Sequence, residues 1–143
     1  MYQFHTFVHV RPPDVVFGDA IKCFGQSVNT LLVQPDRLTT PLTVSFEQAC
    51  DSLDRLARMF CEPDGSFVWR STADGEWQVD GVLSDRGGRL LFVELKGKCP
   101  SNAFDQLLRA VGWPDNKLMF QLAEQAVFVD EASFRRVAET TEA

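Results

Sequence analysis

The stretch VDGVLSDRGGRLLFVELKGK, residues 79–98, constrains the fold most strongly, because it holds two apolar strand-like runs joined by a turn. Val, Leu and Phe dominate both runs, which predicts strands covered on both faces. Three charged residues, Asp80, Glu94 and Lys96, nevertheless stand inside these runs. Burying an unpaired charge is costly, so these side chains either face water or converge on something that compensates for the lost hydration.

The length of the turn decides whether the charges can meet. A three-residue loop from Arg86 to Gly88, with Gly88 left-handed, is a common hairpin solution, and it is our prediction. It sets Asp80 opposite Glu94, and Lys96 then shares their face because residues two apart on a strand point the same way. A two-residue loop would shift the register by one and put the two carboxylates on opposite faces.

Local patterns predict the other elements. Ser45 begins the clearest helix, which extends to about Phe60, and Gln48 completes a capping box. Strands are predicted at 2–10, 67–71, 77–84, 89–96 and 126–130, helices at 101–111 and after Asp130, and two short strands within 16–33.

The order of these elements predicts the fold class. Helix, three-strand meander, helix, strand and helix indicate an α/β (α+β) domain with a mixed central sheet flanked by helices. The strand at 126–130 would lie parallel to a neighbour through a right-handed crossover. Residues 1–44 would form a β-rich N-terminal extension of this single domain of 143 residues.

Composition limits the function classes. The formal net charge of −6 counts against nucleic-acid binding through phosphate contacts without excluding a local basic patch. No apolar run is long enough for a membrane span, and the N-terminal residues lack the pattern of a signal peptide. Four cysteines without CxxC spacing favour reduced thiols and a cytoplasmic protein.

The charged residues of the hairpin suggest metal chemistry. Two carboxylates within a few ångströms of each other repel unless a cation lies between them. Mg²⁺ is the natural occupant, with Mn²⁺ as its substitute, because it prefers oxygen ligands and keeps several waters. The backbone carbonyl of Leu95 could add a ligand, and Lys96 could orient a water or stabilise charge on a phosphate.

Asp80, followed after 13 residues by Glu94-Leu95-Lys96, resembles the motif of the PD-(D/E)XK nuclease superfamily. The core of that superfamily is similar to the element order predicted between residues 45 and 130. The resemblance implies a restriction-endonuclease-like fold, metal ligation by Asp80 and Glu94, and a catalytic role for Lys96. It also implies a further acid on the first helix, for which Glu47 is the closest candidate.

Other positions extend this resemblance or depart from it. Some branches place a Gln in the helix after the lysine, and Gln106 suits that place. Lys98 and Arg109 could contact phosphate. Val79 stands where the superfamily name has proline, and Ala110 stands where those branches often have an aromatic residue.

Simpler interpretations exist for the same residues. Asp80, Glu94 and Lys96 could form a solvated strand face with a cross-strand ion pair, and Glu47 could favour the helix dipole. His5 and His9, which share a strand face, suit a polar surface better than a metal pair. The sequence therefore leaves two functions open. One is metal-dependent phosphodiester hydrolysis, and the other is binding of a protein partner or a second copy of the chain by an inactive nuclease-like fold.

Overall fold

The computed structural model describes residues 1–72 and 74–139. Its elements are β1 (Tyr2–Val10), β2 (Val16–Cys23), β3 (Gln26–Leu32), a 3₁₀ turn (Pro35–Thr39), α1 (Phe46–Asp54), β4 (Met59–Cys61), β5 (Ser66–Arg70), β6 (Gln78–Arg86), β7 (Arg89–Cys99), α2 (Ser101–Ala110), β8 (Leu118–Leu122), β9 (Val127–Asp130) and α3 (Glu131–Ala138). Within the described residues, the strands form one nine-stranded sheet in the order β2-β3-β9-β8-β1-β7-β6-β5-β4.

The predicted mixed α/β sheet, and the restriction-endonuclease-like architecture with it, is wrong. Every neighbouring pair of strands in the described sheet is antiparallel. The crossover through α2 does join two strands that run in the same direction, β7 and β8, but β1 lies between them and pairs with both. The N-terminal strand is therefore at the centre of the sheet, and β9 pairs antiparallel with β8.

The three helices pack on one face of the sheet. Alternate residues of the central strands point towards them, as the period of a strand requires, and include Phe4, Val79 and Leu95, each less than 9% exposed. Phe104 of α2 stacks on Phe134 of α3 with ring centroids 5.4 Å apart. Burial of each such side chain contributes about 1.5–3 kcal/mol. No helix in the described part of the chain is long and apolar enough to cross a membrane.

The first helix begins as predicted and ends early. The Ser45 hydroxyl accepts a hydrogen bond from the Gln48 amide at 3.0 Å, and the Gln48 side chain accepts one from the Ser45 amide at 2.9 Å, which confirms the capping box. The helix stops at Asp54, and Arg58 then adopts a left-handed conformation with φ of 64°. Phe60, predicted on the apolar helix face, instead lies on edge strand β4 and is 67% exposed.

The turn between β6 and β7 is shorter than predicted. Arg86 pairs directly with Arg89, so the loop contains two residues, Gly87 and Gly88. Their φ angles of 59° and 83° are both positive, as a type I′ turn requires, and this conformation favours glycine at both positions.

A β-bulge then changes the register of this hairpin. The pairing shifts between Ser84 and the next residue of β6, and Leu91 of β7 is left without an opposite residue. Without the bulge, the two-residue turn would put Asp80 and Glu94 on opposite faces. With it they share a face, and Asp80 lies opposite Lys96 rather than opposite Glu94.

Substitution of Gly97 should show how closely the backbones of β6 and β7 approach each other. The φ of Gly97 is 140°, and a Cβ atom there would collide with the backbone carbonyl of Gln78. We expect Gly97→Ala to lower the free energy of unfolding by about 1–3 kcal/mol, measured by urea denaturation. Gly87→Asn is the matched control, because no atom lies within 4 Å of the added Cβ and Asn tolerates positive φ. Equal losses in both variants would contradict this account.

Candidate functional site

Side chains on the face opposite the helices form rows that run across the strands. Phe60, Val68, Asp80, Lys96 and His5 make one row, in which each residue is paired with the next on the neighbouring strand. We call this face of the sheet the open face. The row links edge strand β4 to central strand β1 through β5, β6 and β7.

A parallel row completes a groove on the open face. Ser66 pairs with Val82, Val82 with Glu94, and Glu94 with Phe7. Between these rows lies a groove of about 330 Å³, whose lining includes Asp80, Glu94, Lys96, Glu62, Ser66 and Phe60. The three residues of the predicted motif therefore border the same space.

Two of the three carboxylates that line the groove, Glu94 and Asp80, are each held by one neighbouring side chain. His5 Nε2 and Glu94 Oε2 are 2.8 Å apart, and both side chains are 35% exposed. The amide nitrogen of Gln78 donates to Asp80 Oδ1 at 2.9 Å. In residues 1–72 and 74–139, nothing hydrogen-bonds to Asp80 Oδ2 or Glu94 Oε1. Each carboxylate is thus oriented and retains one free oxygen.

Lys96 is the basic member of the groove. It lies opposite Asp80 and is exposed, yet within the described residues no ion pair joins it to Asp80 or Glu94. The cross-strand ion pair that offered a simpler interpretation is therefore not formed. The ammonium group remains available for an anion.

The sheet separates several predicted site residues from the groove. Glu47, the predicted further acid, lies on α1 with Asp51, and α1 packs on the helix-covered face. Gln106 and Arg109 lie on α2, on the same side, where they line a separate depression of about 270 Å³ with Ser52. A side chain cannot reach through a sheet, so the predicted site residues Glu47, Gln106 and Arg109 do not belong to the groove.

Two further predicted residues lie on β7 beside the groove. Lys98 is exposed on the same face as Lys96 but two residues further along the strand, opposite Gln78. The Leu95 side chain is 2% exposed and belongs to the core. Its backbone lies opposite β1 on one edge and β6 on the other, so its carbonyl lies within the paired sheet rather than in the groove.

The donor set of the groove suits a hard, hydrated cation better than a tightly held metal. In the described segments, no three His, Cys, Asp or Glu side chains are grouped to hold a metal ion. Mg²⁺ is commonly bound by one or two carboxylates, with waters and substrate phosphates as its remaining ligands. The free oxygens of Asp80 and Glu94 fit that mode of binding.

Sequence reasoning missed three polar or aromatic residues that line the groove, Phe60, Glu62 and Ser66, and it missed the contact of His5 with Glu94. The sequence predicts the β1 strand but gives no signal for its pairing with β7, which brings His5 to Glu94. Glu62 and Ser66 flank the turn between β4 and β5. Its EPDGS sequence indicates a turn but not that a strand precedes it.

The second histidine of β1 has a different environment. His9 is 7% exposed, stacks on Phe92 with ring centroids 5.1 Å apart, and packs edge-on against Phe128. Its Nδ1 has no hydrogen-bond partner among the described residues. Burial lowers the pKa of His9 to about 4. His5 contacts Glu94, whereas His9 packs between aromatic rings, so the two histidines have different partners.

Comparisons with protein-family models, with curated proteins and with solved structures find no match to this chain. The chemistry of the groove is therefore inferred from its own geometry. That geometry comprises two anchored carboxylates, one unpaired lysine and an exposed aromatic ring on one sheet face.

The lowered pKa of His9 predicts a pH dependence of stability. As the pH falls below about 6.5, the unfolded chain protonates His9, whereas the folded protein does so only near pH 4. Stability is therefore lost across that window. Between about pH 7.5 and pH 5, wild type should lose ~2 kcal/mol more unfolding free energy than His9→Phe, measured by urea denaturation. His5→Gln, which leaves His9 in place, should keep the loss, and parallel pH profiles for wild type and His9→Phe would contradict the prediction.

Proposed function

We propose that the groove is the active site of a metal-dependent phosphodiester hydrolase, in which Asp80 and Glu94 hold Mg²⁺ or Mn²⁺ and Lys96 contacts the phosphate. One observation carries this proposal: the three side chains border one groove, with one free oxygen on each carboxylate and no ion pair on the lysine in the described chain. The proposal rests on this cluster alone, because the antiparallel sheet is not the architecture that the motif implies.

The hydrogen bonds around the carboxylates support this function. Ligands of a metal are usually oriented by hydrogen bonds from surrounding side chains, and loss of such a partner weakens metal binding. His5 has this position towards Glu94, and Gln78 has it towards Asp80. Both partners lie on the sheet rather than on loops, which keeps the free oxygens in defined positions.

The charges of the groove explain why the reaction would need a metal. Glu62, Asp80 and Glu94 outnumber Lys96, so a phosphate alone would be repelled. A divalent cation would supply positive charge and lower the pKa of a bound water. Lys96 would bind a phosphate oxygen and stabilise the negative charge that develops when water oxygen adds to phosphorus. The water would lose one proton to the solvent, the bond from phosphorus to the leaving oxygen would break, and that oxygen would take up a proton from the solvent.

The free thiols and the net charge bear on the compartment and the substrate of the proposed enzyme. Cys23, Cys50, Cys61 and Cys99 are all free, which suits a reducing compartment such as the cytoplasm. Among compounds with phosphodiester bonds, we propose a nucleic acid as the substrate. The net charge of −6 opposes general attraction to it, so binding would depend on the groove and its cation.

A second candidate is a binding module without catalysis, which would engage a protein partner or a second copy of the chain. The apolar rim of the groove favours it, because Phe60 is 67% exposed and Val82 is 38% exposed. Exposed apolar side chains beside a groove are common at interaction sites. The metal experiments below separate the two candidates.

Metal binding should stabilise the folded protein. We expect millimolar Mn²⁺ to raise the melting temperature by about 2–4 °C, the shift that ~1 kcal/mol of linkage gives a chain of this size. Asp80→Asn and Glu94→Gln, which keep shape and remove charge, should abolish the shift. Glu47→Gln, on the opposite face, should retain it. A shift that survives both groove substitutions would place the metal elsewhere, and the absence of any shift or cleavage would favour the binding module.

Loss of the Lys96 side chain should lower the rate of cleavage more than loss of the Lys98 side chain does. Lys96→Met should lower the rate of cleavage of DNA or RNA in Mn²⁺ by at least about 100-fold, because it removes the only cation paired across from Asp80. Lys98→Met, which removes the same charge two residues along β7, should lower it by less than about 5-fold. Equal effects of the two substitutions would show that Lys96 supplies only general charge.

A further inference from the structure

We propose that the groove takes single-stranded nucleic acid and stacks an unpaired base on Phe60, an inference that rests on the proposed hydrolytic function. Phe60 lies at the centre of edge strand β4, lines the groove, and is 67% exposed. Leaving so much of a phenyl ring in water has a cost that burial in the helix-covered core would remove. The ring is instead presented on the open face, beside the carboxylates.

The position of Phe60 relative to the charged residues suits a nucleotide chain. Phe60, Val68, Asp80 and Lys96 follow one another across four adjacent strands. At a strand spacing of about 4.8 Å, the backbone of Phe60 lies about 10 Å from that of Asp80 and about 14 Å from that of Lys96. A phosphate at Lys96 and a base at Phe60 are thus within reach of one short stretch of single strand.

The ring selects for unpaired bases. In a duplex, both faces of each internal base are covered by neighbouring base pairs, so an aromatic side chain has no free base face to contact. In a single strand the face is available, and stacking on an aromatic ring contributes about 1–3 kcal/mol per base with little dependence on sequence. Val68, next to Phe60 in the row, offers the base an apolar floor rather than a hydrogen-bonding partner.

The acidic groove makes this binding dependent on a cation. Glu62 and Asp80 line the same space as Phe60, and the backbone phosphates of a single strand would be repelled by both. A divalent ion at the carboxylates removes that repulsion, so single strands should bind in its presence and only weakly after chelation. An apolar peptide on Phe60 would not need the ion.

The experiment measures the fluorescence anisotropy of a dye-labelled single-stranded oligonucleotide titrated with full-length protein in Ca²⁺, with DNA and RNA as separate arms. A duplex of the same sequence and a chelator control are run in parallel. Wild type should bind at least one single strand about 10-fold more tightly than the duplex. Phe60→Ala should weaken single-strand binding by about 5- to 30-fold, and Phe60→Trp should retain it.

The matched control is Phe24→Ala, which removes a ring that is 71% exposed at the tip of the β2–β3 hairpin, away from the groove. It should bind the oligonucleotide as wild type does. Single-strand affinity that is unchanged in Phe60→Ala, a preference for the duplex, or binding that persists after chelation would each overturn the inference.

Failure of the inference differs from failure of the function on which it rests. If Mn²⁺ stabilises the protein and cleavage occurs while Phe60→Ala binds normally, the stacking site is disproved and the hydrolase proposal stands. If neither metal stabilisation nor cleavage is seen, both proposals fall. If Phe60→Ala weakens binding of an apolar peptide without any ion, Phe60 belongs to a protein-binding surface instead.

Discussion

The insertion of β1 between β7 and β8 is the constraint on which the rest of the structure depends. Residues 2–8 of this strand pair with β7 and residues 6–10 pair with β8, so both edges are paired in the middle of the strand, where an unpaired backbone group would cost about 1–3 kcal/mol. Val8 and Thr6 are fully buried on its helix-covered side. On the other side, the same pairing brings His5 to Glu94. Core and groove are therefore joined through one strand.

The charged residues of the central hairpin are accommodated because the open face is solvated. Asp80 and Lys96 are exposed, and Glu94 keeps 35% of its side-chain surface, so none bears the cost of full burial. The apolar residues of the hairpin, whose number suggested that both faces are covered, are distributed over the two faces. Val93 is buried beneath the helices, whereas Val82 is 38% exposed in the groove. The hairpin has one covered face and one open face, as is common for antiparallel sheets.

Features fixed by neighbouring residues could be predicted from the sequence, and features fixed by distant pairing could not. The capping box of Ser45 and Gln48 is a contact across three residues, and it is present as predicted. The position of β1 depends on residues about 90 positions away, as in the pairing of His5 with Lys96, and no local pattern specifies it. The spacing of Phe60 continues the apolar pattern of α1 and so predicts a helix there, but the left-handed conformation of Arg58 interrupts the helix before Phe60.

For the candidate site, the sequence predicted which three charged residues share a face, but for an incorrect reason. The predicted three-residue loop would have placed these residues on one face by its length. In the protein, a two-residue turn followed by the unpaired residue Leu91 places them there. That arrangement has a consequence for insertions and deletions. Loss of Leu91 alone would leave a regular two-residue hairpin in which Asp80 still lies opposite Lys96, whereas loss of the bulge with every residue retained would put Asp80 and Glu94 on opposite faces of the sheet. Whether these carboxylates share a face therefore depends jointly on the bulge and on whether the number of residues between them is odd or even.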